Sequence, residues 1–266
     1  MYRFPRFSPS GNDLAFHIEV RGGVQGDIWR YSLKDGGLLR LTSDTANAQP
    51  EWDPDGKSVV YLNHGNLSRI AVDGSGRPAP VLDRERLIYE SRMTPDRRSI
   101  VFREDVTSGN RDILMASLDS PIVVTPLLTT PFDEKGFALS PDGKWLAYIS
   151  NETGFDEVYV RRLQESSARW RVSRGGGREA RWARNEIFFR AGDSTMVASI
   201  SLGSEPTIGA PRLLFTGSYA STAYEPLWDV SPDGSRFAFV VNRELGGTPI
   251  GVMLNWTANW KARQRN

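Results

Sequence analysis

A short turn that recurs at a nearly constant spacing constrains the fold of this chain more than any other feature. Its clearest copy is Ser140-Pro141-Asp142-Gly143, in which proline presets the backbone of the second position and Asp-Gly supplies an acceptor and a residue free to take positive φ. Related turns follow one another at steps of 41 to 48 residues. The positions of the turn proline are Pro9, Pro54, Pro95, Pro141 and Pro232, with Arg184 in the fifth place.

Short apolar segments with a period of two follow each turn. Residues 14–18 and 59–62 are examples, and each is followed by a further strand, an Asp-Gly type hairpin and another short strand. Repeats of 40 to 50 residues with about four strands each are typical of β-propeller blades. A helical solenoid is excluded because the apolar pattern lacks the helical period. A two-sheet sandwich gives no reason for one turn to recur at this spacing.

The sequence therefore predicts an all-β protein, a six-bladed β-propeller of four-stranded antiparallel blades. No clear fourth strand follows residues 252–256, so we expect either an incomplete, three-stranded last blade or a closing strand supplied by upstream sequence. The predicted blades are residues 1–48, 49–89, 90–135, 136–178, 179–225 and 226–266. Aromatic side chains on the strands are predicted to pack between blades, namely Trp29, Tyr61, Phe102, Tyr148, Tyr159, Phe189 and Phe239.

Charge and composition exclude several classes of partner. The chain has 33 basic and 32 acidic residues without a block of one sign, so neither nucleic acid nor an anionic membrane is indicated. It has no cysteine, and no apolar run approaches the length of a membrane helix. The first residues lack the apolar segment of a signal peptide, so we expect either a cytoplasmic protein or a signal or anchor upstream.

Three stretches carry a resemblance to a known family. They are residues 136–148 with 150–154, residues 172–177 with Arg181 and Trp182, and residues 249–258. With the repeats, they make the chain similar to TolB-like, WD40-like propellers, and most similar to the C-terminal propellers of bacterial membrane-anchored serine/threonine kinases. The resemblance implies a periplasmic or extracytoplasmic binding or sensor module, attached to a kinase or anchor outside this chain. No kinase motif occurs in the sequence itself.

A hydrolase is the main alternative function, because prolyl-oligopeptidase-like enzymes carry a similar propeller. The Gly-x-Ser-x-Gly elbow of the hydrolase domain is absent, and the chain has two histidines, His17 and His64, for which structural roles are predicted. The aspartates of the recurring turns are predicted to accept local backbone hydrogen bonds rather than to take part in catalysis.

Four polar residues at equivalent strand starts form a candidate ring on the channel side. They are Asp27, Asn66, Asp112 and Glu157, and oxygen ligands from several blades are what a calcium ion in a channel would need. The ring is incomplete because Met196 and Pro249 stand at the remaining places, so hydrogen bonding at turns and strand ends is the competing interpretation. No metal or cofactor is predicted.

These observations predict a non-catalytic propeller that binds a protein or peptide at one end of its channel. The alternatives are a propeller hydrolase or metal-dependent enzyme with a channel site, and an accessory propeller of a larger peptidase or kinase.

Overall fold

The computed structural model describes residues 1–20, 26–105, 111–164, 168–222, 226–241 and 250–253. Within these residues the chain forms 24 β-strands and no α-helix. None of the described segments is a helix with the length and hydropathy that crossing a membrane requires.

The strands form six consecutive antiparallel groups, which are called sheets below; one backbone pair, Gly26 with Asn47, joins the first two groups. The first three groups are β1 (Tyr2–Phe7), β2 (Asp13–Glu19), β3 (Gly26–Ser32) and β4 (Leu38–Arg40); β5 (Asn47–Trp52), β6 (Ser58–Asn63), β7 (Asn66–Ala71) and β8 (Ala79–Leu82); and β9 (Ile88–Met93), β10 (Ser99–Asp105), β11 (Arg111–Ser117) and β12 (Val123–Leu128). The other three are β13 (Lys135–Leu139), β14 (Trp145–Ser150), β15 (Glu157–Arg162) and β16 (Arg169–Arg171); β17 (Arg178–Ala183), β18 (Glu186–Ala191), β19 (Ser194–Ser201), β20 (Thr207–Ile208) and β21 (Arg212–Thr216); and β22 (Trp228–Val230), β23 (Phe237–Val240) and β24 (Ile250–Met253).

The first strand of each group lies on the inside of the molecule. β1 contacts β5, β5 contacts β9, β9 contacts β13, β13 contacts β17 and β17 contacts β22. β22 in turn contacts β1, so the six inner strands form a closed ring. This arrangement confirms the predicted all-β propeller and places a channel along the axis of the ring.

The hydrophobic core is divided among the interfaces between neighbouring sheets. On β18, for example, Ile187 and Phe189 pack against the fourth sheet, whereas Phe188 between them packs against the sixth. The two faces of a strand thus serve two different interfaces, as the period-two pattern requires. Of the aromatic residues predicted to pack between blades, Trp29 is partly buried and the following are buried: Tyr61, Phe102, Tyr148, Tyr159, Phe189 and Phe239.

The recurring turn is held by local hydrogen bonds. The Gly143 N–H donates to the carbonyl of Ser140 at 2.9 Å, and Gly143 has a φ of 69°. The Trp145 N–H donates to Ser140 Oγ at 3.0 Å, and Ser140 Oγ lies 2.6 Å from an oxygen of Asp142. The turn aspartate therefore organises its own turn, as the sequence predicts.

The last group has three described strands, β22 to β24. A fourth strand, if present, would fall on residues 254–266, so this part of the prediction lies outside the described residues. The six predicted blade boundaries stay a prediction.

Candidate functional site

A cavity of about 370 Å³ opens at the end of the channel where the recurring turns lie. All six inner strands contribute to its wall. Each strand contributes the residue three places before its turn proline, or before Arg184 in the fifth sheet. We call this set the channel ring: Arg6, Glu51, Arg92, Ala138, Arg181 and Asp229.

β-Bulges lie next to the ring positions on the inner strands. On β1, β5, β13 and β17 the register shifts immediately before the ring residue. A residue with positive φ lies in each shift, for example Phe4 at 52° and Glu179 at 56°. A bulge bends the strand and re-aims the side chains that follow it. The bulges thus place the ring residues where they line the cavity.

Glu51 is shared by two arginines of neighbouring inner strands. Its Oε2 lies 3.1 Å from Arg6 Nε and 3.0 Å from Arg92 Nη1. The Arg6 side chain is 7% exposed and that of Arg92 is 11% exposed. One carboxylate oxygen therefore pairs with two largely buried cations.

Asp229 is the second acid of the ring. Its Oδ1 lies 3.0 Å from Arg181 Nε, and its Oδ2 accepts the backbone N–H of Phe7 at 2.8 Å. Arg181 is 4% exposed, and its Nε also donates to the carbonyl of Trp228 at 3.1 Å. Asp229 thus joins the last inner strand to the first.

Burial and repulsion by neighbouring arginines work against the charge on Arg6 and Arg181. Burial, followed by the neighbouring Arg92, lowers the pKa of Arg6. Burial, followed by Arg6, lowers the pKa of Arg181 well below its ordinary value. Burial also raises the pKa of the Asp229 carboxyl, against the opposing effect of Arg181. Arg6 and Arg181 therefore lie in a poorly solvated space, in which added negative charge is favourable.

Two guanidinium nitrogens of the ring have unused hydrogen-bonding capacity. They are Arg92 Nη2 and Arg181 Nη2, both buried and without a hydrogen-bond partner among the described residues. Buried donors of this kind are rare, because leaving one unsatisfied costs about 1–3 kcal/mol. Ala138 lies on β13, which contacts the strands of both arginines.

Apolar residues surround the charged ring. Trp52, Met93, Leu139, Trp182 and Val230 line the cavity together with the prolines of the recurring turns. A concave site with an apolar wall and a few convergent polar groups is typical of ligand sites. Proline and aromatic side chains also suit contact with an extended peptide.

The four predicted polar residues lie elsewhere in the sheets. Asp27, Asn66, Asp112 and Glu157 are on the third strand of their groups, two strands outward from the inner strands that line the cavity. The structure therefore does not bring them together around the cavity. A role in ligand binding stays a prediction for these four residues.

Three of these four accept the backbone N–H of the residue 18 places further on. Asp27 accepts from Thr45 at 3.1 Å, Asn66 from Arg84 at 2.8 Å, and Glu157 from Gly175 at 3.0 Å. Each bond ties the start of a third strand to the segment that leads to the next sheet. For Asp112, burial raises the pKa of the carboxyl, and nearby Glu104 adds to the rise.

The channel ring is not predicted by the sequence pattern. Its residues do not share a chemical type, since the six positions hold three arginines, two acids and an alanine. The feature of the sequence that could have revealed the ring is spacing, because each ring residue lies three places before the turn proline of its repeat, or before Arg184. A search for like residues at like positions cannot detect such a set.

The histidines do not contribute to the site. His17 is fully buried on β2, and burial lowers its pKa to about 3. His64 lies in the β6–β7 turn with a φ of 51°. No group of three or more His, Asp or Glu residues suited to a metal ion occurs in the described part of the chain.

Comparison with solved structures assigns the fold. TolB from Acinetobacter baumannii superposes with a TM-score of 0.72 and 16% sequence identity, over 92% of this chain and 61% of that one. The chain has a TolB-like propeller fold. A puromycin-hydrolyzing peptidase from Mycobacterium tuberculosis has a similar domain, with a TM-score of 0.61 and 19% identity over 96% of this propeller and 45% of the peptidase.

Sequence comparison adds one curated relative. The propeller is 27% identical over 159 residues to the uncharacterized peptidase YuxL of Bacillus subtilis (strain 168). The match covers 58% of this propeller and 22% of the peptidase, so the propeller corresponds to a minor part of that protein. No protein-family model matches the chain.

The prediction that the chain is not an enzyme is therefore wrong. It rested on the missing serine motif and on the histidines, which are features of this segment alone. The curated relative is a peptidase, and a second peptidase shares the propeller fold.

Proposed function

We propose that this propeller binds peptides at the mouth of its channel and that it does so as part of a protein that hydrolyses peptides. The observation that carries the proposal is the channel ring, a charged and poorly solvated cluster set in an apolar cavity. The two peptidases described above support a role in peptide hydrolysis. The predicted protein or peptide partner is retained in this proposal.

The size and lining of the cavity favour a peptide segment as the ligand. A volume of about 370 Å³ lies in the range of small-molecule and peptide-side-chain pockets. Backbone carbonyls of an extended peptide can accept from guanidinium groups, while its side chains contact the apolar wall. The charged ring also disfavours a purely apolar ligand, because burying it under hydrocarbon would leave its donors without water.

A binding test on the purified propeller addresses this proposal first. A pool of hexapeptides is equilibrated with the protein, and the retained peptides are measured by mass spectrometry. We expect the native propeller to bind the retained peptides with dissociation constants in the micromolar to millimolar range, and Arg92→Gln to bind them at least tenfold more weakly. Arg98→Gln is the matched control, since Arg98 is an exposed arginine that pairs with Asp119 outside the cavity. Equal retention by all three proteins would place peptide binding outside the channel mouth.

Hydrolysis is tested on the complete gene product. We expect it to cleave peptide substrates, and we expect Arg92→Gln to raise KM more than it lowers kcat, since the ring binds and does not react. A complete gene product that cleaves none of a broad peptide panel would contradict the peptidase setting.

A second candidate function is a protein-binding module of the TolB type. It is favoured by the likeness to TolB, which extends over 92% of this chain. Attachment to a kinase or anchor and an extracytoplasmic location stay predictions from the resemblance. Peptide retention without hydrolysis by the complete gene product would favour this candidate.

A further inference from the structure

The order of charges around the channel ring has one gap. Taken from the first sheet to the sixth, the ring residues alternate between arginine and acid except in the fourth sheet, where Ala138 stands in the place of an acid. The ring carries three positive and two negative side chains. One further negative charge at the place of Ala138 would complete the alternation and make the ring electrically neutral.

The gap coincides with the unused donors. Arg6 has an acid on each side, Glu51 and Asp229. Arg92 and Arg181 each have an acid on one side and Ala138 on the other, and the Nη2 atoms of both are buried without a hydrogen-bond partner among the described residues. The guanidinium of Arg92 also lies 5.8 Å from the ring of Phe137, next to Ala138.

We propose that a carboxylate of a bound peptide occupies the space over Ala138 and accepts hydrogen bonds from Arg92 Nη2 and Arg181 Nη2. This inference rests on the proposed peptide binding and specifies which group of the peptide is recognised. A carboxylate has the right charge to neutralise the ring, and its two oxygens match two guanidinium donors. Alanine is small enough to leave the space open.

The source of the carboxylate is the chain end or an acidic side chain of the peptide. Three hexapeptide pools distinguish them: free acids without Asp or Glu, the same sequences as C-terminal amides, and amides with one Glu. We expect the native propeller to retain at least one carboxylate-bearing pool tenfold or more above the neutral amides. Preference for the first pool assigns the chain end, and preference for the third assigns a side chain.

Filling the gap from within the protein is the sharper test. In Ala138→Glu the new carboxylate should reach both arginines, raise the melting temperature by roughly 2–4 °C and abolish the preference for carboxylate-bearing peptides. Ala138→Gln is the matched control of equal size without charge. It should obstruct the cavity without raising the melting temperature. A melting temperature of Ala138→Glu no higher than that of Ala138→Gln would overturn the inference.

The failures of the two proposals are distinguishable. Equal retention of neutral amides and carboxylate-bearing pools overturns the carboxylate site and leaves peptide binding in place. If no pool is retained, the proposal of peptide binding is overturned. The anion site is then tested by comparing the melting temperature of the propeller in sodium acetate with that in sodium chloride of equal ionic strength. Stabilisation by acetate in the native propeller but not in Ala138→Glu supports the site, and its absence overturns it.

Discussion

The guanidinium Nε of Arg97 lies 2.6 Å from Oδ1 of Asp53, and this ion pair joins the recurring turn of the third sheet to that of the second. Arg97 stands where the other clear copies of the turn have glycine, and it has a φ of 62°. Asp53 is fully buried and pairs with Arg69 as well, at 3.0 Å. A departure from the repeat has thus become a link between neighbouring sheets.

Asp53→Asn is expected to lower the free energy of unfolding by about 2 kcal/mol, because Arg69 loses its buried carboxylate partner and Arg97 keeps only its pair with Asp55. Urea denaturation measures the change. The control is Asp119→Asn, since Asp119 pairs with Arg98 on the surface and its loss should not be measurable. Equal effects of the two substitutions would show that the Asp53 pair does not link the turns energetically.

The turn glycines are expected to differ in their tolerance of alanine. A Cβ on Gly143 would lie 2.6 Å from Cδ of Pro95 in the preceding turn, whereas one on Gly192 would meet nothing within 4 Å. Both residues have positive φ, so both substitutions carry a backbone cost of about 1 kcal/mol. Gly143→Ala should cost a further ~1–2 kcal/mol from the clash. Thermal melts of the two variants check this, and indistinguishable melts would contradict it.

Glu134 is expected to contribute a decline in stability with rising pH. Burial is the main cause that raises the pKa of this carboxyl to about 7. Since the unfolded carboxyl ionises near its ordinary value of 4.5, Glu134 releases a proton on unfolding between pH 4.5 and about 7, and its contribution to stability declines across that window. Buried His17, whose pKa is lowered to about 3, contributes in the opposite direction below its ordinary value of 6.5. Glu134→Gln keeps a similar shape without the charge, so its stability should rise relative to that of the native protein between pH 4.5 and pH 7.5. Denaturation midpoints measured at pH 4.5 and pH 7.5 test this, and an unchanged pH profile of the variant would contradict it.

The strand-start residues are expected to act on stability rather than on binding. Glu157 accepts from the Gly175 N–H and from Ser173 Oγ, so Glu157→Ala should lower the free energy of unfolding by about 2 kcal/mol and leave peptide retention unchanged. Glu157→Gln keeps an acceptor oxygen and should lose less. Loss of peptide retention in a variant that keeps its stability would instead assign Glu157 to ligand binding.

The architecture was predictable because the repeat is marked by the proline, aspartate and glycine residues of its turns. Proline and glycine impose particular backbone angles wherever they occur, so the turn can be recognised before any contact is known. The aromatic residues of the strands, such as Tyr61 and Phe189, were placed between sheets by the period of two alone.

The channel ring was not predictable in the same way. Which strand faces the axis follows from the contacts between sheets, and the strand-start residues predicted for the channel side lie on the third strands instead. The bulges that place the ring residues, for example around Glu179, have no fixed residue type. Ala138 is recognisable as the gap in an alternation of arginines and acids only when the six positions, which are distant in sequence, lie around one axis.

The hydrogen bond from the Phe7 N–H to Asp229 spans 222 residues of sequence. Since ribosomes add about 5–20 residues per second, Phe7 is synthesised roughly 10 to 45 s before its acceptor. Throughout that time the first sheet lacks the neighbour that covers Phe7 and Leu14 together with Ala238. Closure of the propeller is therefore a late event in biosynthesis, and the nascent chain presents an apolar surface that chaperones recognise until its final sheet emerges.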